Sequence, residues 1–215
     1  MSTTESPLVQ GARYALLSEL VLLIARTSDL EALLAKLGKR AKWVIDYDRC
    51  LIALLDEDGS TYHVRVLLET GRDVPALDQS RFSAEEGLLG QTIRVRHTQV
   101  HAAPTATESL EGGSALDTQL WHGNKRFVLT VPLEVNNEVI GALAFATARA
   151  EGYAREDTSI ASAIATHLSL AIDRSRHTAR LEAANVKLAR LVTFPELNPA
   201  AIVEADRDGV IYYMN

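Results

Sequence analysis

The stretch "RFVLTVPLEVNNEVIGALAFAT", residues 126–147, constrains the fold more than any other part of the chain. Two apolar runs, 126–135 and 138–147, flank Asn136-Asn137. That two-residue connection is made of a residue type that tolerates positive φ, the signature of a tight antiparallel hairpin. A second hairpin precedes it. "RCLIALLD" (49–56) is continuously apolar, "EDGS" turns, and "TYHVRVLLE" (61–69) alternates. The alternation predicts Tyr62, Val64, Val66 and Leu68 on one face and His63, Arg65 and Glu69 on the other, with the first strand buried on both faces.

Helical periodicity surrounds these strands. Residues 1–11 read as a flexible polar lead, and from Arg13 the positions Leu16, Leu17, Leu20, Val21 and Ile24 follow helical spacing. "SDLE" (28–31) predicts a reciprocal cap between Ser28 and Glu31, opening a second helix lined by Leu30, Leu33, Leu34, Leu37, Ala41, Val44 and Ile45. Gly38 within it hints at close packing against a neighbour. "SAEEGLLGQTIRVR" repeats the capping arrangement at Ser83 and Glu86 ahead of Leu88, Leu89, Ile93 and Val95. The segment between Val100 and Arg126 far exceeds a usual connection of about 4–6 residues, and such loops carry function. Within it, "EGGSALD" (111–117) reads as the start of a short lid helix.

From Arg155 the chain reads helical to about Leu191 with no Pro or Gly, a rod of roughly 50 Å. Its second half keeps only Leu181, Ala184, Leu188 and Leu191 as a seam. Two heptads are a short coiled coil, but a lone extension would leave those leucines in water, so the seam predicts a homodimer.

A chain of 215 residues accommodates one ordinary domain plus something smaller. Its 28 acidic against 22 basic residues give a net charge of -6, which repels a polyanion, and "KLGKRAK" (36–42) reads as a solvated helix face. Nucleic acid is therefore not an expected partner. The single Cys50 excludes an intrachain disulfide or a cysteine zinc cluster within these residues. "YALLSELVLLIA" (14–25) is too short to span a bilayer, and the acidic lead does not suit a signal peptide, so the expected setting is the cytoplasm.

The order helix, helix, buried hairpin, "EEGLLGQTIRVRHTQV", long loop, "VPLEVNNEVIGALAF" and exit helix resembles a GAF domain over about residues 12–175. The resemblance implies an α+β fold: an antiparallel sheet with helices packed on one face and a lidded ligand cup on the other, plus the long C-terminal helix. It also implies a small-molecule sensor or dimerising module. "FPELNPAAIVEADRDGVIYYMN" (194–215) resembles the first two strands of a PAS domain, with 176–193 as a signalling linker. The expectation that follows is the front of a longer signalling protein, whose output is a histidine kinase, a diguanylate cyclase or another nucleotide cyclase. In isolation this terminal stretch, lacking strand partners, is expected to be loosely ordered.

Known ligand signatures of the family are mostly missing. The cyclic-nucleotide members place Asn-Lys after the last strand, where this chain has Thr147 and Ala148; Tyr153 replaces the Phe, Asp157 is kept and Thr158 stands for Glu. Bilin-binding members attach pigment to a lid cysteine, whereas Cys50 begins a buried strand and reads as a small core residue. Methionine sulfoxide reduction in this family needs two cooperating cysteines. His97 and His101 are four apart, a metal-binding spacing only on a helix, and "TQV" between them reads as a helix exit. His167 and His177 lack the context of a phospho-accepting histidine. The residues expected to line the cup are Trp121 and His122 from the lid, Thr130 from the central strand, and Arg65 and Leu89. Trp121 as a plain core plug is the competing reading. A purely structural dimeriser and a free-standing enzyme using Ser114 or His122 are the rival classes.

Overall fold

The computed structural model describes residues 7–26, 30–69, 72–73, 81–104, 114–197, 203–208 and 210–214. Two helices come first, α1 (Pro7–Arg26) and α2 (Leu30–Ala41), so the first helix begins inside the stretch expected to be a lead. Ser28 of the expected first cap lies outside the described residues. Strands β1 (Arg49–Leu55), β2 (Thr61–Glu69), β3 (Arg72–Asp73) and β4 (Arg81–Ser83) follow, then α3 (Gly87–Val95), β5 (Gln99–Ala102) and α4 (Ala115–Trp121). The closing hairpin is β6 (Phe127–Val135) and β7 (Glu138–Thr147), and α5 (Arg155–Leu197) leaves it. Asn136 and Asn137 take φ of 50° and 66°, the two left-handed positions that a two-residue hairpin demands.

All pairings are antiparallel, in the order β3-β2-β1-β7-β6-β5 with β4 also pairing β2. One face packs against α1, α2 and the first part of α5 through Leu20, Leu34, Leu37, Leu143, Phe145, Ile164 and Leu168. The other carries α3 and α4 over Leu51, Ala53, Ala142, Ala144 and Ala146. This is the α+β arrangement anticipated from the sequence.

Two sequence expectations need correction. Ile52 pairs with Val66 but Ala53 pairs with Val64, so Arg65 is an extra residue in β2. This bulge reverses the alternation: Tyr62 and Val64 join the α3 side while Leu68 joins the α1 side. The four residues expected on one face are therefore split. The second correction is at α3, whose N-cap is Glu86 with no side-chain cap bond. Ser83 ends β4, and its hydroxyl accepts from the Glu85 amide instead.

The second compact unit begins at Arg174. It holds the rest of α5 and a hairpin of β8 (Val203–Ala205) with β9 (Ile211–Met214). These two strands, expected to lack partners, pair with each other. Asp206 Oδ1 closes their turn by accepting from the Asp208 and Val210 amides, both at 2.9 Å.

Gly141 in β7 lies against β1 so closely that an added Cβ would sit 2.2 Å from the Ala53 carbonyl oxygen. Backbone cannot yield as a side chain can. Gly141→Ala is expected to cost about 2–3 kcal/mol, read as a lower urea midpoint with an unchanged slope.

Candidate functional site

The strand registers arrange the α3 face into cross-strand rows. One row runs Glu69, Arg49, Ala146, Val128, His101; the next runs Leu51, Ala144, Thr130, Gln99; a third runs Val64, Ala53, Ala142, Pro132. With strands about 4.8 Å apart, the alanines of β7 form a low floor, flanked by Arg49 on the β1 side and by Thr130, Gln99 and His101 on the other. Over this floor lie Leu89 and Ile93 of α3 and Leu116 and Leu120 of α4, all buried.

A polar lattice fixes the two covering helices. Ser114 caps α4 in a reciprocal box with Asp117, its backbone N–H donating to Asp117 Oδ2 at 2.9 Å. Asp117 Oδ1 also accepts from the Leu88 amide at 3.0 Å, so one buried carboxylate ties the start of α4 to the start of α3. Gly87 makes that possible. At φ 72° it occupies the left-handed region, and a Cβ there would stand 2.7 Å from both Asp117 Oδ2 and Ser114 Oγ.

Deeper in, Thr92 Oγ1 contacts the Leu88 carbonyl at 2.8 Å and Thr130 Oγ1 at 2.7 Å, and His101 Nε2 lies 3.2 Å from Thr130 Oγ1. Each hydroxyl has one proton to give. The direction that supplies a proton to every contact has His101 Nε2–H donating to Thr130, Thr130 to Thr92, and Thr92 to the Leu88 carbonyl. Burial lowers the His101 pKa, opposed by the Asp117 charge. Burial raises that of Tyr62, reinforced by the same carboxylate.

Buried polar atoms without a hydrogen-bond partner gather on this face. They are Tyr62 Oη, Trp121 Nε1, Gln99 Oε1, and Arg49 Nε and Nη1. Ser114 lies beside the Tyr62 hydroxyl at a geometry that makes no full hydrogen bond. On the opposite face, only Tyr153 Oη is in this condition among the described residues. Buried polar groups are ordinarily satisfied, and each exception asks for a partner.

Of the residues expected to line a cup, Leu89 and Thr130 are buried on this face and Trp121 packs at its edge. His122 is not brought in: it is exposed at the C-terminal end of α4, its amide donating to the Gln119 carbonyl. Arg65 is the half-buried bulge residue of β2. Arg49, Gln99, Thr92, His101 and Asp117 were not anticipated from the sequence as parts of this face. A charged first residue on a strand otherwise wholly apolar was the one available signal, for Arg49. Cys50 points to the opposite, helix-packed face, and burial raises its pKa. His97 is exposed, and no group of three or more His, Cys, Asp or Glu residues suited to a metal occurs among the described residues.

The family described as GAF domain matches residues 27–173. Among solved structures, a GAF domain of a phosphoenolpyruvate-protein phosphotransferase from Coxiella burnetii superposes with TM-score 0.67 at 17% identity, covering 78% of this chain and 96% of that one. A free methionine-R-sulfoxide reductase from Neisseria meningitidis gives 0.63 at 17%, covering 83% and 98%. The GAF domain of a two-component sensor histidine kinase from Bacillus halodurans gives 0.59 at 16%, covering 71% and 99%. No curated protein sequence matches the chain.

Two outcomes follow from the lattice. Asp117→Ala strands two buried amides and is expected to lower stability by about 2–4 kcal/mol, measured by urea unfolding. The second concerns acid. Because the folded His101 pKa is depressed, the unfolded chain takes up that proton first as pH falls. The His101 contribution to stability is then full above the ordinary value of about 6.5 and lost as pH drops through the folded value. His101→Gln should flatten the fall in thermal midpoint between about pH 7 and pH 5 relative to the parent.

Proposed function

The chain belongs to the GAF family, and from that premise we propose that it is the sensory module of a multidomain signalling protein, holding a small molecule over the alanine floor. The observation that carries this reading is the gathering of unpartnered buried donors and acceptors on one face of the sheet. A ligand would satisfy them, and an apolar recess with a few orienting polar groups is what small-molecule sites are made of. Occupancy would be felt by α3 and α4, which meet over the site through Asp117.

Transmission in this proposal runs through α5. Leu181 and Leu188 are 65% and 59% exposed, and Ala184 is exposed between them. Leu191 lies in the same helix, with its side chain outside the described set. Pairing of these residues with those of a second copy would bury them, and 194–215 would begin a PAS domain leading to an output domain of the cyclase or histidine-kinase type, in the cytoplasm. Moving such a switch from mostly off to mostly on takes about 5.5 kcal/mol of differential affinity.

A purely structural dimeriser is the second reading, favoured by the complete burial of Leu89, Leu116 and Leu120 above the floor. An enzyme of the sulfoxide-reductase type has less support, since the lone Cys50 is buried on the other face.

Of the two tryptophans, Trp43 is exposed, so Trp43→Phe leaves Trp121 as the sole reporter at the cup. A metabolite screen on that variant should shift Trp121 emission and raise the thermal midpoint with the same compound. Native mass spectrometry without a retained molecule, together with a silent screen, would favour the structural reading. Leu181→Lys with Leu188→Lys should convert a dimer to monomer in light scattering; a parent that is already monomeric defeats the proposed route through α5.

A further inference from the structure

Arg49 opens β1 on the same face as Leu51 and Ala53, two and four residues on, and its side chain is only 4% exposed. Its Nη2 donates to Glu69 Oε1 at 2.9 Å, while Nε and Nη1 have no partner. Beside it stands a second cation, on a half-buried residue. Lys125, its side chain 8% exposed, reaches Glu69 Oε1 and Asp48 Oδ2 only at 4.0 Å, and the Gly123 carbonyl at 3.4 Å. Asp48 spends its Oδ2 on the Ala148 amide at 2.7 Å. Two cations thus converge on one oxygen of Glu69, a side chain that is itself 40% exposed.

A guanidinium withdrawn from water with idle donors is a costly arrangement unless something else accepts from it. We propose that Arg49 anchors the carboxylate of a small organic acid whose apolar body lies over Ala146 and Ala144. The inference rests on the reading of this face as a ligand site and names the ligand's chemistry. A planar carboxylate matches the fork of the guanidinium. A single negative charge suits the surroundings better than a dianion, because Glu69 and Asp48 already stand nearby. The row Arg49, Ala146, Val128 and the row Leu51, Ala144, Thr130 set small apolar side chains next to the guanidinium, with the Thr130 hydroxyl in the second row. Glu69 then acts as a competitor, holding Nη2 in place of part of the ligand.

The test is isothermal titration of the full chain with acetate, benzoate and hexanoate, each beside its own amide. The expected result is that at least one acid binds tenfold or more tightly than its amide, that Arg49→Gln removes the difference, and that Glu69→Gln strengthens acid binding. Glu69→Gln keeps the test decisive if Arg49→Gln fails to fold. Acid and amide binding alike, unaltered in either variant, would retain the ligand site and overturn the carboxylate anchor. Absence of binding by all six compounds, in the parent and in Glu69→Gln, would overturn the anchor while leaving the metabolite screen on Trp121 to decide the site.

Discussion

Strand β7 sends Leu143 and Phe145 to one face of the sheet and Ala142, Ala144 and Ala146 to the other. This difference in side-chain volume shapes everything around it. On the large side, α1, α2 and α5 reach a core of leucine, isoleucine and aromatic side chains, packed as a protein interior must be. On the small side the floor is low. Leucines from α3 and α4 descend onto it, and polar groups border them. Gly141 at the head of the same strand allows β1 to come close enough for the floor to be continuous.

The polar groups of that second face divide into two kinds. Asp117, Ser114, Thr92 and Thr130 are bonded to named partners, and they hold α3, α4 and β6 in register. Such a network repays its burial by rigidity, because each removed partner would strand another. Arg49, Gln99, Tyr62 and Trp121 instead carry idle atoms. Holding the first set rigid presents the second set in fixed positions.

The long helix has a different chemistry along its length. Through Ile172 it contributes buried residues to the sheet's large-side core, including Ile160, Ile164 and Leu168. Beyond that, from His177 to Ala189, its described side chains are exposed. Isolated exposed leucines are ordinary on a protein surface, whereas a repeated set at helical spacing is a surface that another helix can cover.

Much of this fold was legible in the sequence because hydrophobic periodicity is local. The Asn136-Asn137 hairpin, the buried β1, the lid helix that starts within 111–117 and the exit helix from Arg155 all follow from residues a few positions apart. The α+β order and the GAF resemblance came with them. What the sequence could not disclose was the bulge at Arg65, which reverses the facing of β2, or the lack of a Ser83 cap. Both depend on which residue of a neighbouring strand or loop lies opposite. The candidate face was legible only in part for the same reason. Trp121, Thr130 and Leu89 could be placed from their own elements, yet Arg49, His101 and Asp117 lie far apart in the chain and come to one side of the sheet only through strand register and helix docking. Composition and period determined the layers; tertiary packing alone decided which polar atoms ended without partners, because satisfaction of a hydrogen bond is a property of two places in the chain at once.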